Sequence, residues 1–356
     1  MTGTDARPAM APGVRLGRVS FVWRPWPVLV TLLLAAAAFL VFCLSISFGD
    51  FTIALPRVIA TITGRGERVD EFVIMDLRLP RALAGLVAGI ALGLSGAITQ
   101  SLARNPLASP DVLGITTGAG AVAVFLVTVS GGTTAAIMSS VGLSAAALAG
   151  GLGTGVLVYV LAWRRGIDGM RLVLIGISVS AVMQAITNWL LVTADIRDVA
   201  RAQAWLVGSL ADRTWNEVWV ATCCGLALLA VVAAASFQFK PMHFGDEIAA
   251  GLGVRHGRVR AVLLLCAVLL AGVAVSAAGP VPFVALVAPQ AAMRLARRPT
   301  PPLVASGLVG ALLLNGSDVL ARTALPVALP VGVVTAAIGG PFLVYLLVRA
   351  NLRKAA

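Results

Sequence analysis

Three sets of side chains in this chain have the type and spacing to do chemistry. Arg78 and Arg81 flank a leucine–proline step (RLPR), and Arg322 follows Asp318 by one helical turn. A guanidinium offers a planar fork of donors that suits carboxylates bidentately. At a membrane boundary such residues by default anchor the chain in the interface. The second set lies in the 24-residue link 237–260, FQFKPMHFGDEIAAGLGVRHGRVR. There Asp246 and Glu247 open a short helical pattern, where acids suit the positive end of the helix. Gly251 and Gly253 end that pattern or let another backbone come close. A docking element and a solvated connector both fit. The third set is Ser180, Gln184 and Asn188, which recur every four residues and so share one helix face. Within a membrane span such a face lines a wet cavity or hydrogen-bonds to a neighbouring helix.

Other chemistries lack residues. Neither lysine, Lys240 or Lys354, follows a glycine, so no G-x-x-x-x-G-K-[ST] phosphate loop exists. There is no HExxH, no nucleophile elbow and no pair of intramembrane carboxylates, so no catalytic residue is expected. Cys43, Cys223, Cys224 and Cys266 fall inside apolar runs without ligand spacing and read as small buried side chains. His243 and His256 share one polar link with no cysteine nearby, and no metal or cofactor is expected on this chain. The acid nearest a span interior is Asp318, toward one end of the ninth apolar run. Self-contained ion coupling, which relies on ionisable groups at membrane depth, is therefore disfavoured. The work of any transport would come from another polypeptide.

These residues must be positioned by helices in lipid. Of 356 residues, 59% are apolar and 12% charged, and the mean hydropathy is +0.96. Soluble domains run at about 45–50% apolar and about 25% charged, and disorder needs low hydrophobicity. Apolar runs bounded by arginine, proline or glycine predict ten membrane helices. They fall near 27–47, 80–102, 113–130, 136–162, 172–192, 216–236, 261–279, 282–296, 303–321 and 331–348. The eighth is short and proline-rich. The first has too long an apolar core for a cleaved leader and reads as a retained span. Between the first two, 51–63 reads as a short surface helix.

The fold class is therefore all-α and polytopic. A tail (1–26) precedes one membrane domain (27–348, with the polar link 237–260 inside it), and a second tail follows (349–356). With ten spans, both termini share one side. That side collects eighteen of the 27 basic residues and five of the fifteen acids; the other side holds nine and ten. The positive-inside rule makes the basic side cytoplasmic. The net charge of +12 is thus dispersed among short links, a pattern that sets topology and argues against a nucleic-acid partner.

Further stretches depart from generic membrane sequence: RNPLASPDVLG (104–114), GPVPFVALVAPQ (279–290), LPVGVVT (329–335) and GGPF (339–342). With RLPR and the DEIAAGLGV segment, they make the chain resemble, from about residue 40 to 350, the permease subunits of bacterial ABC importers for ferric siderophores and vitamin B12. SGAITQSLARNPLASPDVLG, RLVLIGISV and the segment around Trp205 are most similar to the ferric enterobactin-type permeases. The resemblance implies a type II ABC importer permease fold in the bacterial cytoplasmic membrane. It implies no enzyme activity of the chain's own, with ATP and Mg held on separate ATPase subunits. Arg78, Arg81 and Arg322 would receive glutamates of an extracytoplasmic siderophore-binding protein. Asp246, Glu247, Ala250, Gly251, Leu252 and Gly253 would form the coupling contact with the ATPase. Spans five and ten would line the pathway, which places Ser180, Gln184, Asn188, Gly332 and Thr335 along it. The other partners implied are membrane lipid and a second permease, a sister chain in the enterobactin type. A ferric siderophore is the expected cargo, with vitamin B12 or haem as the alternative within the family and a secondary transporter as the alternative outside it. Gln290, where the family commonly has histidine, and Arg294, one residue later than the usual arginine, read as structural.

Overall fold

A computed structural model describes residues 13–16, 19–22, 25–49, 52–129, 140–163, 169–242, 256–324 and 328–355. Each of the ten apolar runs holds a helix. They are α1 (Pro25–Ser47), α4 (Leu79–Ala103), α5 (Ile115–Val129), α6 (Ser140–Ala162), α7 (Gly169–Thr193), α9 (Trp215–Met242), α10 (His256–Ala278), α11 (Val284–Leu295), α12 (Leu303–Thr323) and α13 (Val331–Ala355). Among the described residues eight helices are long and apolar enough to cross a membrane, and two shorter apolar helices lie within α5 and α11. The expected surface helix is α2 (Leu55–Ile62). After it, α3 (Arg68–Glu71) and a π-helical stretch (Phe72–Arg78) run without a break into α4.

Three features differ from the sequence reading. The segment before α1 holds a small antiparallel hairpin, β1 (Gly13–Leu16) with β2 (Val19–Val22), Val14 opposite Phe21. A helix absent from the prediction, α8 (Ile196–Leu206), follows α7; its sequence IRDVARAQAWL is too polar and short to register as a span. And α9 continues to Met242, α10 begins at His256, and α13 runs to Ala355, so the polar link is shorter than 237–260 and the second tail is helical. Hydropathy marks where lipid ends, whereas backbone hydrogen bonding carries a helix on into water. The proposed coupling residues Asp246, Glu247, Ala250, Gly251, Leu252 and Gly253 lie outside the described residues.

Helix α4 is the hub. The share of its apolar window buried inside the protein is 78%, against 22% for α1, α7 and α9, and it packs against α12, α10, α11 and α9. Lipid tails are as apolar as leucine, so packed helices in a membrane are held by close approach and not by the hydrophobic effect. The sequence supplies that approach through glycine. A methyl at Gly93 would overlap the Ser306 carbonyl of α12, and one at Gly96 the Ala285 carbonyl of α11. The same helix carries Gln100, buried at 3% exposure, whose amide donates to the Leu286 carbonyl at 3.0 Å. Gln290 donates to Gln100 Oε1 at 2.7 Å, and Arg294 donates to the Gln290 carbonyl at 2.7 Å. Gln290 thus satisfies a polar group of α4 from α11, and Arg294 bonds back to Gln290 within α11, in line with the structural role expected of them.

Candidate functional site

Arg78, Arg81 and Arg322 meet where three helix ends converge: the end of α1, the start of α4 and the end of α12. The last carbonyls of any helix lack intrahelical partners and carry the negative end of its dipole. Helix α1 has no basic residue in its own last turn, and two arginines from elsewhere take that place. Arg78, the last residue of the π-helical stretch, donates through Nη1 to the carbonyls of Ile46 (3.0 Å) and Ser47 (2.9 Å). Arg322, in the last turn of α12, donates to the Phe48 carbonyl at 2.9 Å, to the Ser45 carbonyl at 3.2 Å and to Ser45 Oγ at 3.0 Å. The fit at Gly49 is close, since a Cβ there would meet Arg78 Nη2 at 2.7 Å.

Asp318 closes the cluster from α12. Its carboxylate is 1% exposed and accepts the Arg81 fork, Nη2 at 2.7 Å and Nε at 3.1 Å to each oxygen. It also pairs with Arg322 Nη2 at 3.1 Å, one helical turn along. The arginine trio predicted from sequence is therefore brought together, around an acid that the sequence reading noted only for its spacing to Arg322. The 318/322 interval was the available signal; nothing local in sequence pairs 81 with 318.

Exposure divides the trio. Arg78 is buried at 7% and the Arg322 side chain is 10% exposed, each with its guanidinium on α1 carbonyls. In this conformation they clasp α1 to α4 and α12. The Arg81 side chain keeps 21% of its surface exposed and is the member of the trio best placed to meet an approaching acid.

The pathway residues separate. On α7, Gln184 Nε2 donates to Asn188 Oδ1 at 3.2 Å on an exposed face, but Ser180 Oγ is buried without a partner among the described residues and lies against Gly114. The shared face thus begins packed on the turn before α5 and ends in the open. On α13, a methyl at Gly332 would overlap the Val207 carbonyl, while Gly332 N donates to the Gly208 carbonyl at 3.3 Å. Thr335 is 4% exposed and donates to the Gly332 carbonyl at 3.0 Å. Both are packed positions in this conformation.

At the opposite end of α4 and α5, RNPLASPDVLG forms a tight turn. Arg104 takes a left-handed conformation (φ 49°) and donates its N–H to the Gln100 carbonyl. Asn105 Oδ1 accepts from Leu107 N at 2.9 Å, and Gly114 (φ 78°) supplies the left-handed step before α5. Asp111 accepts a hydrogen bond from the Thr116 hydroxyl. Burial pushes its carboxyl above the usual carboxylate range, and the Thr116 bond offsets part of that rise. Among the described residues no three His, Cys, Asp or Glu side chains group as a metal site would need.

Comparison with known proteins places this arrangement. Residues 34–349 match the FecCD transport family. A ferric enterobactin transport system permease protein of Escherichia coli (strain K12) is 39% identical over 326 residues, covering 91% of this chain and 96% of that protein. A vitamin B12 import system permease protein of Serratia proteamaculans (strain 568) is 36% identical over 290 residues, 80% and 84% of the two chains. A solved metal-chelate type ABC transporter in an inward-facing conformation superposes with a TM-score of 0.79 at 24% identity, over 90% of this chain and 99% of that one; at that identity the likeness is one of fold.

Proposed function

The chain belongs to the FecCD transport family, and on that premise we propose that it is the permease subunit of an ABC importer that carries a ferric siderophore across the bacterial cytoplasmic membrane. It is a multi-pass membrane protein of the helical permease class. The observation that carries the reading is the match of residues 34–349 to a transport family, joined to the pairing of Asp318, buried at 1%, with two arginines. ATP and Mg belong to a partner ATPase, gripped through Asp246, Glu247, Ala250, Gly251, Leu252 and Gly253. The termini lie in the cytoplasm, which the concentration of basic residues on their side supports. The siderophore reading rests on the longer and closer match to the enterobactin permease than to the B12 permease. The exposed Gln184–Asn188 face of α7 suits a pathway formed with a second permease, a sister chain in the enterobactin type.

On the outer face, Arg81 receives an acid of the siderophore-binding protein, and Arg78 and Arg322 hold the platform. A charge reversal at Arg81 would set an acid against buried Asp318, so Arg81→Gln, which keeps amide donors, is the cleaner probe. The decisive experiment is ferric-siderophore uptake into vesicles with the whole transporter, with the ATPase omitted, and with Arg81→Gln. Uptake should need the ATPase and ATP, and the variant should bind the binding protein at least tenfold more weakly. Concentrative uptake by the permease alone refutes the importer reading; undiminished affinity of Arg81→Gln refutes the docking role.

A further inference from the structure

The π-helical stretch Phe72–Arg78 leads straight into the arginine cluster. Such turns are rare and frequently sit at functional sites. Its last bond runs from the Leu79 N–H back five residues to the Ile74 carbonyl. The next bond in that register would run from residue 80 to the Met75 carbonyl. Residue 80 is proline, which has no N–H to give. Met75 is half-buried, and a backbone carbonyl away from water needs a donor. A side chain from another helix supplies it: Trp215 Nε1 donates to the Met75 carbonyl at 2.8 Å. Trp215 is firmly mounted. It opens α9 beside a cap in which Thr214 N donates to Glu217 Oε2 at 3.0 Å and Arg213 Nη1 to Glu217 Oε1 at 3.1 Å, and its ring stacks on Trp219 with centroids 6.1 Å apart.

A second register lies close by. In an ordinary α-helix the Leu79 N–H would bond to the Met75 carbonyl, four residues back. Pro80 would then orphan the carbonyl of Asp76 instead, an exposed residue where water can serve as donor. The two registers thus differ in which carbonyl the proline leaves open, and the Trp215 N–H favours the first. They differ also in aim, because side chains before residue 79 turn about the helix axis relative to those after it. In the π register Ile74 is fully buried, clustered with Ile46, Val58 and Ala82. Arg78 reaches the Ile46 and Ser47 carbonyls, while Arg81 faces Asp318. A change of register would draw Arg78 off the end of α1 and part it from Arg81.

We propose that Trp215 is a positioning residue for the arginine cluster: its indole N–H holds Phe72–Arg78 in the π register by making the bond that Pro80 withholds. The register itself does not depend on the permease reading; its bearing on docking rests on that reading. Hydrogen–deuterium exchange of the assembled transporter, followed by mass spectrometry, reads local opening of the segment. Trp215→Phe keeps a ring against Trp219 and deletes the N–H. It should speed exchange in peptides spanning 72–81 by about tenfold, as expected when a buried acceptor loses its donor, with the later turns of α9 unchanged. Pro80→Ala returns a backbone donor to the helix. In the double variant Pro80→Ala/Trp215→Phe, exchange should therefore slow again toward the wild-type rate. A tryptophan that only packs would not be rescued by removing a proline from the facing helix. If Trp215→Phe alone does not fold, recovery of folded protein in the double variant is the same test. Unchanged exchange in folded Trp215→Phe overturns the proposal, as does a double variant as loose, or as poorly folded, as Trp215→Phe. Affinity for the binding protein should fall in Trp215→Phe and return in the double variant. A loosened segment with undiminished affinity would refute the docking role and leave the register assignment standing.

Discussion

Replacing Asp318 with alanine tests whether one carboxylate organises the arginine cluster. It removes the acceptor of four short contacts, three from Arg81 and one from Arg322. The Arg322 and Arg81 side chains, 10% and 21% exposed, then face each other with little water to screen them. Stranding a buried charge costs about 3–5 kcal/mol. Arg322 keeps its bonds to Ser45 and Phe48, which argues for the lower part of that range. Arg81→Ala should cost less, about 1–3 kcal/mol, because Asp318 keeps Arg322. In the double variant the two losses should fall short of their sum by about 0.5–3 kcal/mol, the range for residues in one ion-pair network. Reversible denaturant unfolding in micelles measures all three. Losses that add to within about 0.5 kcal/mol would mean that Arg81 and Asp318 are not coupled, and the clasp would have to rest on the carbonyl bonds of Arg78 and Arg322 alone.

Other expectations follow from the same geometry. Gly96→Leu drives a side chain into the Ala285 carbonyl and should destabilise the fold by about 1–3 kcal/mol or more, read as a lower yield of monodisperse protein and a lower thermal midpoint; normal behaviour would mean that α4 and α11 are not in such close contact. Gln290→Leu leaves the Gln100 side chain and Arg294 short of a partner and should cost about 1–3 kcal/mol, whereas a neutral result would show that water replaces the network. For Asp111, a folded-state carboxyl pKa raised above 3.8 means that the folded state binds the proton more tightly. Stability is then greatest below the unfolded value and falls as pH rises through the folded one. Asp111→Asn, which still accepts from Thr116, should therefore match the wild type in thermal midpoint near pH 3.5 and exceed it at pH 8. Curves that run parallel across that range would refute the burial argument.

Much of this protein was legible before any coordinates. Ten apolar runs became ten helices because lipid demands that each span satisfy its own backbone, a constraint local to the segment. For the same reason α8 escaped notice: it is held by packing and not by span-like hydropathy, with Asp198 and Ala202 buried.

Side-chain roles were legible only where both partners lay on one helix. The Asp318–Arg322 interval announced itself as one turn. The Arg81–Asp318 pair, 237 positions apart in the chain, did not, because it forms only when α4 and α12 close on each other through their small residues. The Ser180, Gln184 and Asn188 periodicity set the three on one face of α7, yet whether that face meets protein or open surface is decided by where the turn before α5 lies. Composition and spacing alone determined that this chain is a bundle of membrane helices with its positive charge on one side and arginines where carboxylates could dock. Tertiary packing decided which of those arginines face outward and which cap the end of α1, since an unpaired carbonyl and a guanidinium seek each other across any sequence distance that the fold brings within 3 Å.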